Sequence, residues 1–210
     1  MNPRMNILLA GVGGQGLMLL AETMGIACTR QGLPMLAGAQ YGLSQRSGSI
    51  YVHVRIGEGL HSPLIPYGTG DLILAMEAME ALRYVEYLKE GGLVLMNRRV
   101  MHPPVETAQI VKRRAEQLHS LDLAQIQAQL RQVTDKILAL DAAGLAAQAG
   151  NPKGENVVLL GAACALPGFP LAREAVVQAL VEVVPPRTLE ANQKAFDLGF
   201  VACRDGLCLA

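Results

Sequence analysis

The strongest constraint on the fold is a short glycine-rich segment that separates two apolar segments of different periodicity. Residues 5–10 form a short apolar run, which is typical of a strand buried on both faces of a sheet. Residues 11–16 follow, with the sequence Gly-Val-Gly-Gly-Gln-Gly. From residue 14 onward, apolar residues recur at helical spacing until Gln31-Gly32, a plausible C-cap. A strand, a glycine loop and a helix therefore open the chain.

The rest of the chain alternates in the same way. The patterns predict further strands at 33–37, 50–56, 71–76, 93–97 and 136–140. They predict helices over 77–90, one or two within 105–131, and then over 141–148, 155–165, 172–183 and 187–200. Residues 50–56 alternate apolar and polar side chains, as a half-buried antiparallel strand at a sheet edge does. This order indicates a Rossmann-like α/β fold, with a mainly parallel sheet flanked by helices and a helical C-terminal third.

The composition suits one soluble domain over residues 1–210. Hydrophobic residues make up 51% of the 210 residues, enough for a sizeable core. Lys+Arg and Asp+Glu both number 18, so no basic surface for nucleic acid or for an anionic membrane is indicated. The longest uncharged stretches are shorter than a membrane-spanning helix and contain glycine, so we expect a cytoplasmic protein.

Neither a metal site nor a catalytic set is predicted from the reactive side chains. The four cysteines include no C-x-x-C pair, and the four histidines are scattered, which indicates structural or solvated roles. Glu77 and Glu80 lie three apart on a predicted helix, where a solvated face is a simpler explanation than an acid/base pair. No Ser/His/Asp arrangement is apparent.

The glycine loop matches the dinucleotide motif G-x-G-x-x-G in the right context, because the backbone can approach a phosphate at a helix N-terminus. That motif also needs an acidic ribose ligand about 20 residues later. Between Glu22 and Glu58 the chain has no carboxylate, and Arg30 is not singled out as a 2′-phosphate ligand. An NAD(P)-dependent oxidoreductase, an adenylating enzyme without its zinc cysteines, and a nucleotide-binding regulatory module remain alternatives.

A second group of polar residues lies at Gln45, Arg46, Ser47 and Gly48. The Arg46 guanidinium offers a planar fork for a carboxylate or a phosphate, and Gly48 permits close approach. A tight turn with an ordinary surface cation explains the same pattern equally well.

Several stretches occur together and in order along nearly the whole chain. They are Gly11–Gly16, Ser44–Ser49, Val52–Gly57, Ser62–Pro66, Asp71–Arg83, Gly91–Asn97, Asp141–Leu145, Gly150 and Asn151 with Asn156, and Leu160–Ala162. In these stretches the chain resembles the gamma subunits and domains of the 2-oxoacid:ferredoxin oxidoreductases. The likeness is greatest to the small (beta) subunit of the indolepyruvate type.

The resemblance implies a non-catalytic subunit of an enzyme that oxidatively decarboxylates a 2-oxo acid, forms an acyl-coenzyme A and reduces ferredoxin. It implies that thiamine diphosphate and the iron–sulfur clusters belong to a large catalytic partner subunit, with coenzyme A as co-substrate near the interface. Ferredoxin would be reached through the complex, and a homodimer in isolation is an open alternative. The residues implied to face the partner or coenzyme A are Gly11, Gly13, Gly14, Gln15, Gly16, Gln45, Arg46, Ser47 and Gly48.

The segment before the Gln45-Arg46 turn departs from the indolepyruvate pattern. That type commonly has an acidic residue and a histidine there, whereas this chain has Gln40-Tyr41, and Ser47 replaces a glycine. The Tyr41-Gly42 step is more similar to the pyruvate-type subunits. The 2-oxo acid, indolepyruvate or another arylpyruvate as against pyruvate, therefore stays open at this point.

Overall fold

The computed structural model describes residues 4–41, 48–101 and 121–205. The strands are β1 (Met5–Val12), β2 (Met35–Tyr41), β3 (Ser49–Ile56), β4 (Gly70–Ala75), β5 (Leu88–Asn97) and β6 (Ile137–Leu140). The helices are α1 (Leu17–Arg30), α2 (Ala78–Arg83), α3 (Leu123–Leu130), α4 (Ala142–Gln148), α5 (Glu155–Cys164), α6 (Arg173–Val183) and α7 (Leu189–Arg204). Single 3₁₀ turns lie at Val85–Tyr87 and Pro186–Thr188.

The strands within the described ranges form one sheet in the order β2-β3-β1-β4-β5-β6. Strand β3 runs antiparallel to both of its neighbours, and the other strands run parallel to one another. The predicted Rossmann-like α/β fold with a mainly parallel sheet is confirmed. The antiparallel direction of β3 is also confirmed, but its predicted place at the sheet edge is wrong. Strand β2 is the edge, because β3 turns back after β2 and inserts between β2 and β1.

Both faces of the sheet are covered. Helix α1 and the helices α4 to α7 pack on one face, against inward residues such as Ile7, Leu9 and Val54. Helices α2 and α3 and the 3₁₀ turn Val85–Tyr87 cover the other face, against residues such as Leu8 and Ile73. Alternate residues of one strand thus enter different cores, which is why the strands at the centre of the sheet read as continuous apolar runs.

His53 faces the second of these cores. The alternating pattern of β3 placed it on a polar face, yet only 1% of it is exposed. Its ring lies edge-on to those of Tyr51 and Tyr87, with centroids 5.3 Å away in each case. An interior position in the sheet, with structure on both faces, buries this polar side of the strand as well.

Two element boundaries also differ from the predictions. The helix predicted over 77–90 ends at Arg83, and β5 begins at Leu88 rather than at residue 93. The glycines at 91 and 92 lie within β5, where its register against β4 shifts and Gly91 has a φ of 66°. A bulge of this kind accommodates glycines that would end a helix.

The helical C-terminal third is confirmed, and its helices pack very closely. A Cβ added at Gly161 of α5 would collide with the carbonyl oxygen of Phe196 in α7. A Cβ at Gly199 of α7 would collide with the carbonyl oxygen of Val158 in α5. Within the described ranges, no helix is both long enough and apolar enough to cross a membrane.

Candidate functional site

The glycine loop is an open surface at the carboxyl end of β1. Gly13 and Gly14 are exposed, and no atom of the described residues lies within 4 Å of the position that a Gly14 side chain would take. Gly14 has a φ of 93°, a conformation that favours glycine over any residue with a side chain. The loop therefore presents bare backbone toward whatever approaches it.

Gln15 and Gly11 support this loop from within. The Val12 N–H donates to Gln15 Oε1 over 2.7 Å, and Gln15 Nε2 donates to the sulfur of Met101 over 3.8 Å. Gly11 is buried, and a Cβ there would lie 2.7 Å from Gln15 Oε1. Both residues were predicted to face a ligand. Gln15 closes the loop back onto β1 and also lines the cleft described below, whereas Gly11 lies behind it.

Gly16 sets the start of α1. It has a φ of 75°, and Asn156 Nδ2 of α5 donates to its carbonyl oxygen over 3.3 Å. Among the described residues, no side chain accepts a hydrogen bond from the first N–H groups of α1, and its first turn contains no acidic residue. A helix start left in this state is available to an anion, because the free N–H groups and the helix dipole both attract negative charge.

The connection between β2 and β3 is joined to the glycine loop by the backbone. The Gly13 N–H donates to the Gly48 carbonyl oxygen over 3.1 Å, and Ser49 pairs with Val12 in the sheet. Gly48 is thus brought together with the glycine loop. Gln45, Arg46 and Ser47 lie outside the described residues.

A polar cluster around the buried Glu80 anchors the start of β3. The Ser49 hydroxyl donates to Glu80 Oε2 and lies 2.5 Å from the Tyr84 hydroxyl. Arg83 Nε donates to Glu80 Oε1 over 3.1 Å. Only 4% of Glu80 is exposed, so the solvated face predicted for it is wrong. The Glu80 carboxylate thus holds the start of β3 in place, next to Gly48, whose carbonyl oxygen accepts from the glycine loop.

Glu77 is buried as well, with 1% exposed. It is the N-cap of α2: its carboxylate accepts from the Glu80 N–H over 3.2 Å and from the Met101 N–H over 2.7 Å. Burial raises the pKa of Glu77, against the opposing effect of these backbone hydrogen bonds. Through these hydrogen bonds Glu77 links Met101, in the segment after β5, to the start of α2, beside the glycine loop.

A cleft of about 320 Å³ lies at the carboxyl ends of β1, β4 and β5. It is lined by Gly14, Gln15, Met76, Arg99, Pro152, Lys153 and Glu155. Glu155 Oε1 accepts from Arg99 Nη1 over 2.9 Å, and its Oε2 accepts from Asn97 Nδ2 over 2.6 Å. These contacts satisfy the carboxylate of Glu155 and leave Lys153 as a cation at the cleft.

Most residues of this cleft were not predicted from the sequence, although a usable signal was present. Met76 is the first residue after β4, and Arg99 is the second residue after β5. In open α/β sheets, ligands bind beyond the carboxyl ends of the strands. Lys153 and Glu155 had no such signal, because α5 is brought to the loop only by long-range packing.

Two methionines extend the open surface beside the loop. Met18, in the first turn of α1, is 51% exposed, and Met101 is 38% exposed. Flexible thioether side chains of this kind are common at protein-binding surfaces. An apolar rim beside a bare backbone loop is the arrangement that a partner protein would cover.

The strand order argues against a dinucleotide at this loop. A dinucleotide site takes its ribose ligand from the carboxyl end of the parallel strand beside β1. Here that neighbour is β3, which is antiparallel and brings Ser49, its first residue, to this edge. Within residues 4–41, 48–101 and 121–205, no group of three His, Cys, Asp or Glu side chains could hold a metal ion.

Comparison with known proteins adds three findings. The family described as pyruvate ferredoxin/flavodoxin oxidoreductase matches residues 6–202. An indolepyruvate oxidoreductase subunit IorB of Thermococcus kodakarensis is 40% identical over 209 residues, covering 97% of this chain and 98% of the relative. The crystal structure of a keto/oxoacid ferredoxin oxidoreductase gamma subunit from Geobacter sulfurreducens is similar, with a TM-score of 0.67, 26% identity and 94% of each chain covered.

A larger enzyme contains the same fold. It is the 2-oxoglutarate:ferredoxin oxidoreductase of Magnetococcus marinus, solved with 2-oxoglutarate, coenzyme A and succinyl-CoA bound. The match has a TM-score of 0.71 at 18% identity and covers 98% of this chain but 32% of the longer one. At this identity the likeness is one of fold.

Proposed function

The chain belongs to the pyruvate ferredoxin/flavodoxin oxidoreductase family. We propose that it is the small, non-catalytic subunit of a 2-oxoacid:ferredoxin oxidoreductase. Such an enzyme cleaves carbon dioxide from a 2-oxo acid, transfers the acyl group to the thiol of coenzyme A and passes the electrons to ferredoxin. The relative from Thermococcus kodakarensis, matched over nearly its whole length, carries the name of such a subunit.

The observation that carries the proposal is the open glycine-loop face. Gly13 and Gly14 are exposed backbone, Met18 and Met101 form an apolar rim, and the N-terminus of α1 is uncapped. We expect a partner protein to cover a surface of this kind. We assign it to the large catalytic subunit, which would hold thiamine diphosphate and the iron–sulfur clusters and would pass electrons to ferredoxin.

We further propose that coenzyme A binds at the edge of this interface. Its phosphate groups are anions, and the uncapped start of α1 together with Lys153 offers them N–H groups and a positive charge. Gly14 would let the ligand approach the backbone. Arg46, in the connection that Gly48 ties to the loop, would add a guanidinium fork for a phosphate.

For the substrate we propose indolepyruvate or another arylpyruvate, in the cytoplasm. The support is the 40% identity to the IorB subunit over 97% of the chain. The Tyr41-Gly42 step and Ser47 keep pyruvate as the alternative. Comparing indolepyruvate, phenylpyruvate and pyruvate as substrates of the assembled enzyme distinguishes them.

The test is anaerobic reconstitution of the chain with the large subunit of the same organism. We expect neither chain alone to reduce ferredoxin with a 2-oxo acid, and the mixture to do so in a manner that depends on coenzyme A. Turnover by the isolated chain would contradict the proposal. So would a large subunit that is fully active without this chain.

A substitution at the loop tests the placement of the interface. Gly14→Val puts a branched side chain into the open space above the loop, so we expect assembly or coenzyme A-dependent turnover to fall at least tenfold. The matched control is Gly32→Val, at the other end of α1, where φ is also positive and no atom lies within 4 Å. Both variants incur similar backbone strain, of roughly 1–3 kcal/mol. Equal losses in the two variants would place the interface elsewhere.

A further inference from the structure

Among the described residues, strand β2 lies at one edge of the sheet and has no partner strand on its outer side. It spans seven residues, Met35–Tyr41, and pairs with β3 on its inner side without a break in register. Among the described residues, no backbone group forms a hydrogen bond with its outer side. The unpaired N–H and C=O groups of such an edge are a template for another strand.

This edge lacks the features by which proteins usually prevent strand pairing. Charged residues, proline and bulges are the common means. Strand β2 has the sequence Met-Leu-Ala-Gly-Ala-Gln-Tyr, which contains no charge and no proline, and its pairing with β3 contains no bulge. The opposite edge offers a shorter template, because β6 has only four residues.

The sequence of β2 is suited to pairing with itself. Gly38 is the middle residue, and alanines at 37 and 39 lie on either side of it. In an antiparallel pair of β2 strands from two copies, centred on Gly38, the two Gly38 residues lie opposite each other. Ala37 of each copy then lies opposite Ala39 of the other. The larger residues meet unlike partners: Leu36 faces Gln40, and Met35 faces Tyr41. This pairing brings no like charges together, and the residues at its centre, Ala37–Ala39, are all small.

We propose that two copies of this chain associate through β2, antiparallel about a two-fold axis at Gly38, so that one sheet continues across both copies. The sequence of β2 favours a second copy as the occupant, because this register is self-complementary and the uncharged edge offers nothing to select a charged partner. The pairing through Met35–Tyr41 uses none of the residues assigned to the glycine-loop face, so the inference does not depend on the proposed function.

Sedimentation equilibrium of the full chain, from about 1 to about 100 µM, tests the association. We expect a dimer in the wild type and at least about tenfold weaker association in Ala37→Lys. Ala37 is exposed in the single chain, so lysine there is compatible with the fold. It would place two like charges next to the axis. The matched control is Val133→Lys, at a 37% exposed residue before β6, where we expect no change.

Cross-linking tests the register. With cysteine at both 37 and 39, each new thiol would face the other position in the second copy, at the Cα separation that a disulfide requires. We expect mild oxidation to give a covalent dimer of Ala37→Cys/Ala39→Cys, but much less of it from Ala37→Cys alone or from the wild type. Thermal unfolding by circular dichroism verifies that each variant is folded.

Three results would overturn the proposal. One is a wild-type chain that stays monomeric throughout the concentration range. Another is a folded Ala37→Lys variant that dimerises as the wild type does. The third is capture of the large subunit that is lost in Ala37→Lys but kept in Val133→Lys, which would assign the edge to that subunit instead.

Discussion

At the scale of single residues, His53 shows how burial fixes a protonation state. Its Nδ1 accepts from the Ile65 N–H over 3.2 Å, so the neutral ring carries its proton on Nε2. Within the described residues, Nε2 is buried without a hydrogen-bond partner. Burial lowers the pKa of His53, and the positive charge of Arg55 lowers it further. Protonation of Nδ1 would replace this acceptor by an N–H group that points at the Ile65 N–H, so the hydrogen bond would be lost.

This geometry predicts an acid-sensitive stability. Because the folded-state pKa of His53 lies below the ordinary value of 6.5, its contribution to stability is complete above pH 6.5. That contribution is lost as the pH falls from 6.5 toward the folded-state pKa, with a slope of at most about 1.4 kcal/mol per pH unit. His53→Asn keeps an acceptor for Ile65 but does not titrate.

Urea unfolding between about pH 5 and pH 7.5 checks this prediction. The free energy of unfolding should fall more steeply with decreasing pH in the wild type than in His53→Asn. Glu77, whose raised pKa gives the opposite slope, is common to both proteins and cancels in the comparison. Parallel pH profiles for the two proteins would contradict the assignment.

At the scale of elements, the contact between α5 and α7 depends on two glycines. Gly161 and Gly199 each lie against a carbonyl oxygen of the opposite helix. Glycine weakens a helix by roughly 1 kcal/mol relative to alanine, so its presence here needs a compensating gain. That gain is the close approach of the two helices, which buries Val158 and Phe196 at their contact.

We expect Gly161→Ala to destabilise the chain by about 1–3 kcal/mol, because the methyl group forces α5 and α7 apart. Gly25→Ala is the matched control, since Gly25 also lies inside a helix but its Cβ would meet Met35 Cε at an ordinary 3.7 Å. There the same substitution should stabilise the chain by about 0.4–1 kcal/mol. Thermal or urea unfolding gives both values, and a neutral Gly161→Ala would refute the packing argument.

At the scale of the whole molecule, the two cores share one sheet. Alternate residues of β1 and β4 enter opposite cores, so neither core can form without these strands. Four of the five tyrosines, at 51, 67, 84 and 87, form a group of tilted ring contacts on the α2 side, whereas most of the described helical residues lie on the other side. The two sides therefore have distinct spectroscopic signals.

The single domain expected over residues 1–210 leads to a prediction from these signals. Tyrosine emission, free of tryptophan in this chain, and far-ultraviolet circular dichroism should give the same urea midpoint and slope. Separate midpoints would mean that the α2 side unfolds independently of the larger core.

The sequence by itself determined the features that depend on local order. The run at 5–10, the glycines after it and the helical spacing beyond them predicted the first strand, loop and helix to within a few residues. The ordered stretches along the chain also indicated the family that the comparisons established. Local periodicity carries this information because it reflects which face of an element is buried.

The tertiary structure alone decided what depends on neighbours distant in the chain. The insertion of β3 beside β1 buried His53, left β2 as the edge and removed the place of a ribose ligand. Long-range packing likewise buried Glu77 and Glu80 and brought Lys153 and Glu155 to the loop. Strand order sets which polar residues lose water, and the spacing of residues within one element does not contain that order.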